Sequence, residues 1–311
     1  MVVLCIFTQY IAKVLLEISA LIQSILKMEV TPRLLGDIMG YSFYPGCTLK
    51  NKASRLEISA LESARLLNKE LKELPEWQCC GAVYPLARDE IVTILGSIRS
   101  LIRARELGNK LVTLCAACHH VLKRSNWAIK NKKDVRDKTN NFLQDESDYF
   151  GETEVIHYLE FLRDEVGFDK IKSAAQGRLK GKRVGAYYGC LLLRPEKELK
   201  FDNPEQPTIM EDFIRSLGGQ PVEYPFRNEC CGGYLNLKNP ESAHKMGNRI
   251  ISSATEHSAE EIITACPLCL YNLNQSFLNG NSCENSNIKV TYFTELLYEV
   301  LDPTKKEVAY G

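Results

Sequence analysis

Ten of the twelve cysteines of this chain form one pattern that occurs twice. Each copy contains a single cysteine, a Cys-Cys-Gly segment and a Cys-x-x-Cys segment, in that order. In both copies, 34 residues separate the double cysteine from the Cys-x-x-Cys. Such a repeat indicates an internal duplication, so we expect two similar folding units. The two copies are Cys47, Cys79, Cys80, Cys115 and Cys118, and Cys190, Cys230, Cys231, Cys266 and Cys269.

The stretches between the cysteines alternate between short apolar strands and helical segments. Tyr41 to Tyr44 predicts a strand before Cys47, and the periodicity of Ala53 to Leu74 predicts a helix after it. The two copies also end alike, because Val155 to Glu160 parallels Val290 to Glu295. This alternation predicts an α/β fold with largely parallel sheets, arranged as two pseudo-symmetric domains.

Three parts of the chain follow from this pattern. We predict an N-terminal helical extension over residues 1–40, a first cysteine-rich domain over 41–178 and a second over 179–311. Apolar residues at helical spacing from Ile11 to Leu26 predict an amphipathic helix in the extension. That segment either docks on a partner protein or a membrane surface, packs as an ordinary helix, or precedes a true translation start at Met28 or Met39.

Charge and targeting signals narrow the class of protein. Lys+Arg and Asp+Glu are equal at 39 each, which argues against nucleic-acid binding. We find no secretory signal and no run of the roughly 20 apolar residues that a membrane-spanning helix needs. We therefore expect a cytoplasmic, reducing location, where clustered cysteines indicate metal or redox chemistry.

The spacing of the cysteines suits a metal cluster. A Cys-x-x-Cys at the start of a helix places two thiolates where the helix dipole favours negative charge. Two adjacent cysteines need a turn, and a glycine after them lets the backbone approach a cluster closely. Structural zinc and ordinary cubane clusters each take four protein ligands, whereas each copy here has five cysteines. The residues alone leave iron–sulfur clusters, structural zinc and buried disulfides as alternatives.

These segments resemble one known family. Tyr44-Pro45-Gly46-Cys47-Thr48-Leu49 and Cys230-Cys231-Gly232-Gly233 are similar to the two cysteine-rich "CCG" domains of the heterodisulfide reductase B subunit. The resemblance covers residues 41–311 and leaves out residues 1–38, which that family normally lacks. It implies that each set of five cysteines holds one noncubane 4Fe–4S cluster.

The resemblance also implies an activity. The chain is expected to be an oxidoreductase acting on a sulfur group, which reduces a disulfide such as that of coenzyme M and coenzyme B to two thiols. We expect the disulfide to lie between the two halves, with Cys80 and Cys231 as the catalytic cysteines. The expected partners resemble the flavin-containing A subunit and the ferredoxin-like C subunit of heterodisulfide reductase. A partner is needed because the sequence has neither a Gly-x-Gly-x-x-Gly nor a P-loop fingerprint.

A second function stays open. CCG domains also occur in electron-transfer subunits of lactate, glycerol-3-phosphate and fumarate respiratory systems. Two complete cysteine sets without an added ferredoxin-like motif favour the disulfide reductase.

Other residues carry weaker signals. His119 and His120 follow the first Cys-x-x-Cys and are candidate proton donors, although a surface or supporting role is the simpler interpretation. Arg194, Arg227 and Asn228 lie near cysteine loops and are candidates for contact with an anionic substrate. His157 aligns with Tyr292, and we interpret both as structural. Cys5 and Cys283 have no counterpart in the repeat and are taken as ordinary thiols.

Overall fold

The structure is a computed structural model, and it describes residues 40–82, 91–279 and 288–304. The predicted N-terminal helix lies outside the described residues, as do Cys5 and Cys283. Within the described part of the chain, no helix is long and apolar enough to cross a membrane.

Two four-stranded parallel sheets form the centre of the fold, and they have the same topology. The strand order is β2-β1-β3-β4 in the first sheet and β6-β5-β7-β8 in the second. The strands are β1 (Tyr41–Tyr44), β2 (Leu71–Glu73), β3 (Lys110–Thr113), β4 (Glu154–His157), β5 (Arg183–Tyr187), β6 (Gln220–Val222), β7 (Glu261–Thr264) and β8 (Lys289–Tyr292). The predicted α/β fold built from two similar halves is therefore confirmed.

Helices connect the strands, as parallel pairing requires. The α-helices are α1 (Gly46–Leu49), α2 (Ser54–Leu66), α3 (Leu95–Glu106), α4 (Ala116–Asn131), α5 (Lys133–Phe142), α6 (Tyr158–Glu160), α7 (Phe168–Ala175), α8 (Glu196–Leu199), α9 (Ile209–Ser216), α10 (Pro240–Glu256), α11 (Pro267–Asn279) and α12 (Phe293–Leu301). A π-helical turn covers Phe161–Val166 and a 3₁₀ turn covers Gly233–Leu235. The helices cover both strand-rich halves, so central strands such as β1 and β7 are buried along their whole length.

One local prediction was wrong. The helix expected over Ala53 to Leu74 ends at Leu66, and Leu71–Glu73 forms strand β2 instead. The helix stops where Asn68 adopts a positive φ of 57°. Strand β2 pairs with β1 at the edge of the sheet, and its residues are half-buried or exposed. A three-residue edge strand of this kind has no hydrophobic run that would distinguish it from a continuing helix.

The two halves share one hydrophobic core. Helix α2 of the first half packs along α12 of the second, where Ser59 Oγ donates to Thr294 Oγ1 at 2.7 Å. In the same contact, Arg55 Nε donates to Glu295 Oε1 at 2.8 Å. Buried side chains from both sheets form a single continuous cluster. This shared core fixes the position of one sheet relative to the other. The predicted boundary between residues 178 and 179 stays a prediction.

Candidate metal centre

All ten cysteines of the repeat follow the carboxyl ends of strands. In the first half, Cys47 lies in α1 just after β1, the Cys79–Cys80 pair follows β2, and Cys115 precedes α4. The second half repeats this arrangement after β5, β6 and β7. Because all strands of a parallel sheet point the same way, these loops converge at one edge of each sheet. The structure thus brings each five-cysteine set together.

Thiol pairs form the first set. Cys47 Sγ lies 3.7 Å from Cys79 Sγ, and Cys80 Sγ lies 3.5 Å from Cys118 Sγ. Cys118 also forms a hydrogen bond with Cys115. Cys80, Cys115 and Cys118 are buried, whereas Cys47 and Cys79 are exposed. The set therefore has an inner group of three sulfurs and an outer pair that solvent or a partner can reach.

The second set has the same order. Cys231 Sγ lies 3.5 Å from Cys269 Sγ, and Cys190 forms a hydrogen bond with Cys230. Cys231, Cys266 and Cys269 are buried, while Cys190 and Cys230 are half-buried. The outer pair of the second set is thus less exposed than the outer pair of the first.

Glycines allow the close approach of backbone to sulfur in both halves. Gly46, before Cys47, has a φ of +71°, and a Cβ there would lie 2.9 Å from Cys118 Sγ. Gly189, before Cys190, has a φ of +64°, and a Cβ there would lie 3.2 Å from Cys269 Sγ. A side chain at either position would meet both a strained backbone and a sulfur atom.

Backbone N–H groups surround the sulfurs. Gly232 N–H donates to Cys230 Sγ and Gly233 N–H to Cys231 Sγ, each at 3.3 Å. In the first half, Gly81 N–H donates to Cys79 and Ala82 N–H to Cys80. Such donors stabilise negative charge on sulfur, whether on a free thiolate or in a metal centre.

Hydrogen bonds between thiols shift their acidities in opposite directions. The hydrogen bond with Cys118 lowers the pKa of Cys80, whereas hydrogen bonds with Cys115 and Cys80 raise the pKa of Cys118. In the second half, hydrogen bonds with Cys190 and Cys231 lower the pKa of Cys230. The hydrogen bond with Cys269 lowers the pKa of Cys266. Thiolate, the form that binds metals, is therefore favoured at one or more sulfurs in each set.

The two sets meet at the junction of the halves. Ala116 N–H, next to Cys115, donates across the junction to the carbonyl of Ala265, next to Cys266, at 3.2 Å. Ala117 N–H donates to the sulfur of Cys266. The Cys-x-x-Cys of the first half thus supplies a hydrogen bond directly to a sulfur of the second set.

Two tyrosines that the sequence did not mark as site residues lie at this junction. Burial and then the nearby Cys266 and Cys115 thiols raise the pKa of Tyr292. Burial, followed by sulfurs of both sets, raises the pKa of Tyr234 to about 12. Tyr234 Oη also donates to the carbonyl of Ala82 in the first half, at 3.1 Å. Only the alignment of Tyr292 with His157 hinted at such a position; for Tyr234 the sequence carried no signal.

The histidine candidates have structural surroundings. His119 is fully buried, and its Nδ1 lies 2.9 Å from Thr113 Oγ1, while burial lowers its pKa. His120 Nδ1 lies 3.0 Å from the carbonyl of Leu191 in the other half. His157 is buried as well, with Nε2 at 2.9 Å from the carbonyl of Leu114. Burial lowers the pKa of all three imidazoles, which disfavours their protonated form in the folded protein.

The arginine candidates are engaged within the second half. Arg194 Nη1 donates to the carbonyl of Asn228 at 2.8 Å, and Asn228 Nδ2 donates to the carbonyl of Pro204 at 2.8 Å. Arg227 Nε lies 3.2 Å from Oε1 of the buried Glu211. All three side chains therefore stabilise the loops around Cys190 and Cys230.

The donor set fits an iron–sulfur group. None of the ten cysteines forms a disulfide. Among the described residues, no three His, Cys, Asp or Glu side chains are arranged to hold a single metal ion directly. The converging donors are all sulfur, and soft thiolates select iron–sulfur clusters, zinc or cuprous ions. Three buried thiols and inward-directed N–H groups in each half match what a cluster requires.

Comparisons with known proteins agree with the repeat. A model of the family described as the cysteine-rich domain, CCG, matches residues 41–123 and 184–274. The chain is 33% identical over 230 residues to the 8-methylmenaquinol:fumarate reductase membrane anchor subunit of Wolinella succinogenes, covering 74% of this chain and 80% of that protein.

Two further comparisons place the chain among similar proteins. It is 26% identical over 262 residues to the B subunit of the ferredoxin/F420H2-dependent CoB-CoM heterodisulfide reductase of Methanosarcina acetivorans, covering 82% of this chain and 87% of that protein. A crystal structure of a hypothetical protein from Helicobacter pylori superposes with a TM-score of 0.61 at 11% identity. That match covers 84% of this chain and 48% of the solved one, and it shows a shared fold.

Proposed function

Because the chain belongs to the CCG cysteine-rich domain family, as its resemblance to the heterodisulfide reductase B subunit indicated, we propose that it is an iron–sulfur subunit of a multisubunit oxidoreductase. In this proposal, each five-cysteine set holds one cluster, of the noncubane 4Fe–4S type. Cys47, Cys79, Cys80, Cys115 and Cys118 bind the first, and Cys190, Cys230, Cys231, Cys266 and Cys269 bind the second. A bound iron–sulfur cluster supplies one-electron redox chemistry.

The chain's own residues prepare each site for such a group. The inner thiols are buried, so the surrounding protein limits solvent access to the centre. The N–H groups of Gly232 and Gly233 face sulfur atoms, which stabilises negative charge and tunes reduction potential. Gly46 and Gly189 keep the backbone close to Cys118 and Cys269.

The observation that carries the proposal is the contact between the two sets. Ala116 and Ala117 of the first Cys-x-x-Cys donate hydrogen bonds to Ala265 and Cys266 of the second. Two redox centres held by these loops would be neighbours across the junction. Electrons could then pass between the halves without a large movement of the protein.

For the specific activity, we favour the electron-transfer alternative of the fumarate reductase type. The relative with 33% identity is named as a subunit of an 8-methylmenaquinol:fumarate reductase, and the heterodisulfide reductase relative is 26% identical. The chain would then carry electrons from a hydroquinone toward a separate reductase subunit. Flavoprotein and ferredoxin-like subunits are the proposed partners, and the cytoplasmic side is the proposed location.

Disulfide reduction is the second candidate, and the accessibility of the first set favours it. Cys47 and Cys79 are exposed, so a small disulfide can reach their sulfurs. Cys80 and Cys231, the proposed catalytic cysteines, are only 3% and 4% exposed and lie behind the outer thiols. Their catalytic role, with the disulfide held between the two halves, is part of this second candidate function.

One experiment separates the candidates. The full chain is produced with its partner subunits under anaerobic conditions and reduced with a viologen dye. Reoxidation is then followed with a naphthoquinone and, in parallel, with the coenzyme M–coenzyme B disulfide. Electron transfer to the quinone alone supports the fumarate reductase type. Turnover of the disulfide, lost in Cys80→Ala, would support the disulfide reductase and contradict our preference.

A further inference from the structure

A cavity of about 390 Å³ lies next to both cysteine sets. Its first-half walls include the Gly81–Ala82 turn after Cys80 and one face of α4, and its second-half walls include Leu191 and Glu198. Tyr234 lines it as well, and its hydroxyl reaches the carbonyl of Ala82 across the junction. Volumes of this size are typical of small-molecule sites. The cavity is therefore placed where a ligand would adjoin the loops of both sets.

One part of the cavity wall is apolar. Val121 and Leu191 line it together with the ring of Trp127. Lys197 belongs to α8, which packs against α4, and its Nζ lies 5.2 Å from the centre of that ring. A flat apolar ligand would bury surface against these side chains.

Arg124, Lys132 and Glu198 are charged residues of the cavity lining, and Arg124 and Glu198 both lie near His120. Arg124 Nη1 lies 3.3 Å from His120 Nε2. Burial lowers the pKa of His120, and the charge of the nearby Glu198 partly offsets this effect. Among the described residues, the ion pairs include none between Arg124 and Glu198, and Glu198 Oε2 has no hydrogen-bond partner there. His120 is already committed to the Leu191 carbonyl and to Arg124. A donor for Glu198 Oε2 is thus missing, while Arg124 has further guanidinium N–H groups besides the one near His120.

The missing hydrogen-bond donor distinguishes the two ligand classes. Arg124 and Lys132 line the cavity beside Glu198, so charge alone does not separate an anionic disulfide from a neutral ligand. The disulfide group, however, has no hydrogen-bond donor to offer the buried Oε2 of Glu198. A neutral hydroxyl group satisfies both side chains, because its oxygen accepts from Arg124 while its hydrogen is donated to Glu198. A hydroquinone has such a hydroxyl on a flat apolar ring.

We propose that this cavity binds the ring of a hydroquinone, with one hydroxyl held between Glu198 and Arg124. The proposal deepens the fumarate reductase-type function, on which its biological meaning rests. It assigns Glu198 as the hydrogen-bond acceptor and Arg124 as the donor, and it makes the side chains of Trp127 and Leu191 the walls against which the ring packs.

Binding is tested with a ligand that does not exchange electrons. The anaerobic full chain is titrated with α-naphthol and with its methyl ether in equilibrium dialysis. The ether keeps the ring and the oxygen acceptor but lacks the O–H donor. We expect α-naphthol to bind about tenfold more tightly, the difference that one hydrogen bond to a charged acceptor contributes.

Substitutions test which side chains cause the preference for α-naphthol over its methyl ether. Glu198→Gln is expected to remove most of the preference for the naphthol over the ether, while Glu196→Gln, on the same short helix and exposed, keeps it. Val121→Trp fills the cavity and should weaken both ligands. Each variant is first shown to unfold cooperatively like the parent. Equal binding of naphthol and ether to the parent would overturn the proposal, and so would an unchanged preference in Glu198→Gln. Tighter binding of the anionic disulfide dithiodiglycolate than of naphthol at the same site would also contradict it.

This readout is independent of metal content and of turnover. If the chain contained zinc instead of iron and sulfide, the proposed function would fail, while the naphthol preference would still report on the cavity. If the chain contained iron and sulfide but showed no naphthol preference, only the cavity assignment would fail.

Discussion

Tyr44, the last residue of β1, donates a hydrogen bond to the carbonyl of Gln78, the residue before the Cys79–Cys80 pair, at 2.6 Å. Tyr187 makes the same contact in the second half, with the carbonyl of Glu229 at 2.9 Å. Each tyrosine fixes the double-cysteine loop of its half to the end of the first strand. Burial chiefly, and then the nearby cysteines, raise the pKa of Tyr44, so its hydroxyl stays protonated and able to donate.

Removing this hydroxyl should loosen one centre and spare the other. In Tyr44→Phe we expect the first centre to lose its metal to a chelator several-fold faster, because a hydrogen bond of about 1 kcal/mol no longer restrains the loop. Tyr187→Phe should have the same effect on the second centre. Metal release is followed by absorbance, with the exposed Tyr271→Phe as the control. Equal release rates in all three variants would show that these contacts do not restrain the loops.

The glycine before the first cysteine gives a second prediction. Gly46→Ala places a Cβ against Cys118 Sγ and forces alanine to a positive φ. We expect a loss of at least about 1–2 kcal/mol from the backbone alone, and a loss of metal from the first site. Gly181→Ala, at φ +87° with nothing near its Cβ, measures the backbone strain by itself. If Gly46→Ala keeps full metal content, the close approach is not required.

These contacts also show how far the sequence alone leads. The cysteine positions relative to strands β1, β3, β5 and β7 were predictable, because each cysteine follows a short apolar run within a few residues. Strand β2 was missed, since an exposed three-residue edge strand has no periodic signal. The junction could not be predicted, because Arg55 and Glu295 are distant in sequence and meet only after both halves have folded.

The Arg55–Glu295 pair tests the junction itself. Glu295 is 4% exposed, so Arg55→Gln leaves a buried carboxylate without its cationic partner. We expect a loss of about 1–3 kcal/mol in the free energy of unfolding, measured with denaturant. Arg65→Gln on the same helix removes an exposed pair with Glu62 and should cost less than about 0.5 kcal/mol. Equal effects of the two substitutions would mean that the junction pair adds nothing.

Acid should destabilise the protein through His157. Burial lowers the pKa of His157 from 6.5 to about 4. Its ring faces His119 and Phe201, and the charge of Lys123 also opposes protonation. Below pH 6.5 the unfolded chain binds a proton that the folded chain rejects until about pH 4, so stability is lost across this window as pH falls.

The size of this effect can be measured. Between pH 7 and pH 5, His157 should account for about 2 kcal/mol of lost unfolding free energy. His157→Gln should therefore show a correspondingly flatter decline with falling pH in denaturant unfolding, whatever its stability at pH 7. A decline as steep as that of the parent would show that His157 is protonated in the folded protein at pH 5.

Metal and sulfide analysis of the anaerobically purified chain tests the central claim most directly. Two 4Fe–4S clusters predict about eight iron atoms and a matching amount of acid-labile sulfide per chain. Iron and labile sulfide should each fall by about half when Cys115 and Cys118 are both replaced by serine, and likewise when Cys266 and Cys269 are replaced. The control variant Cys283→Ser should keep the iron and sulfide content of the parent. Stoichiometric zinc without labile sulfide in the parent would contradict the account.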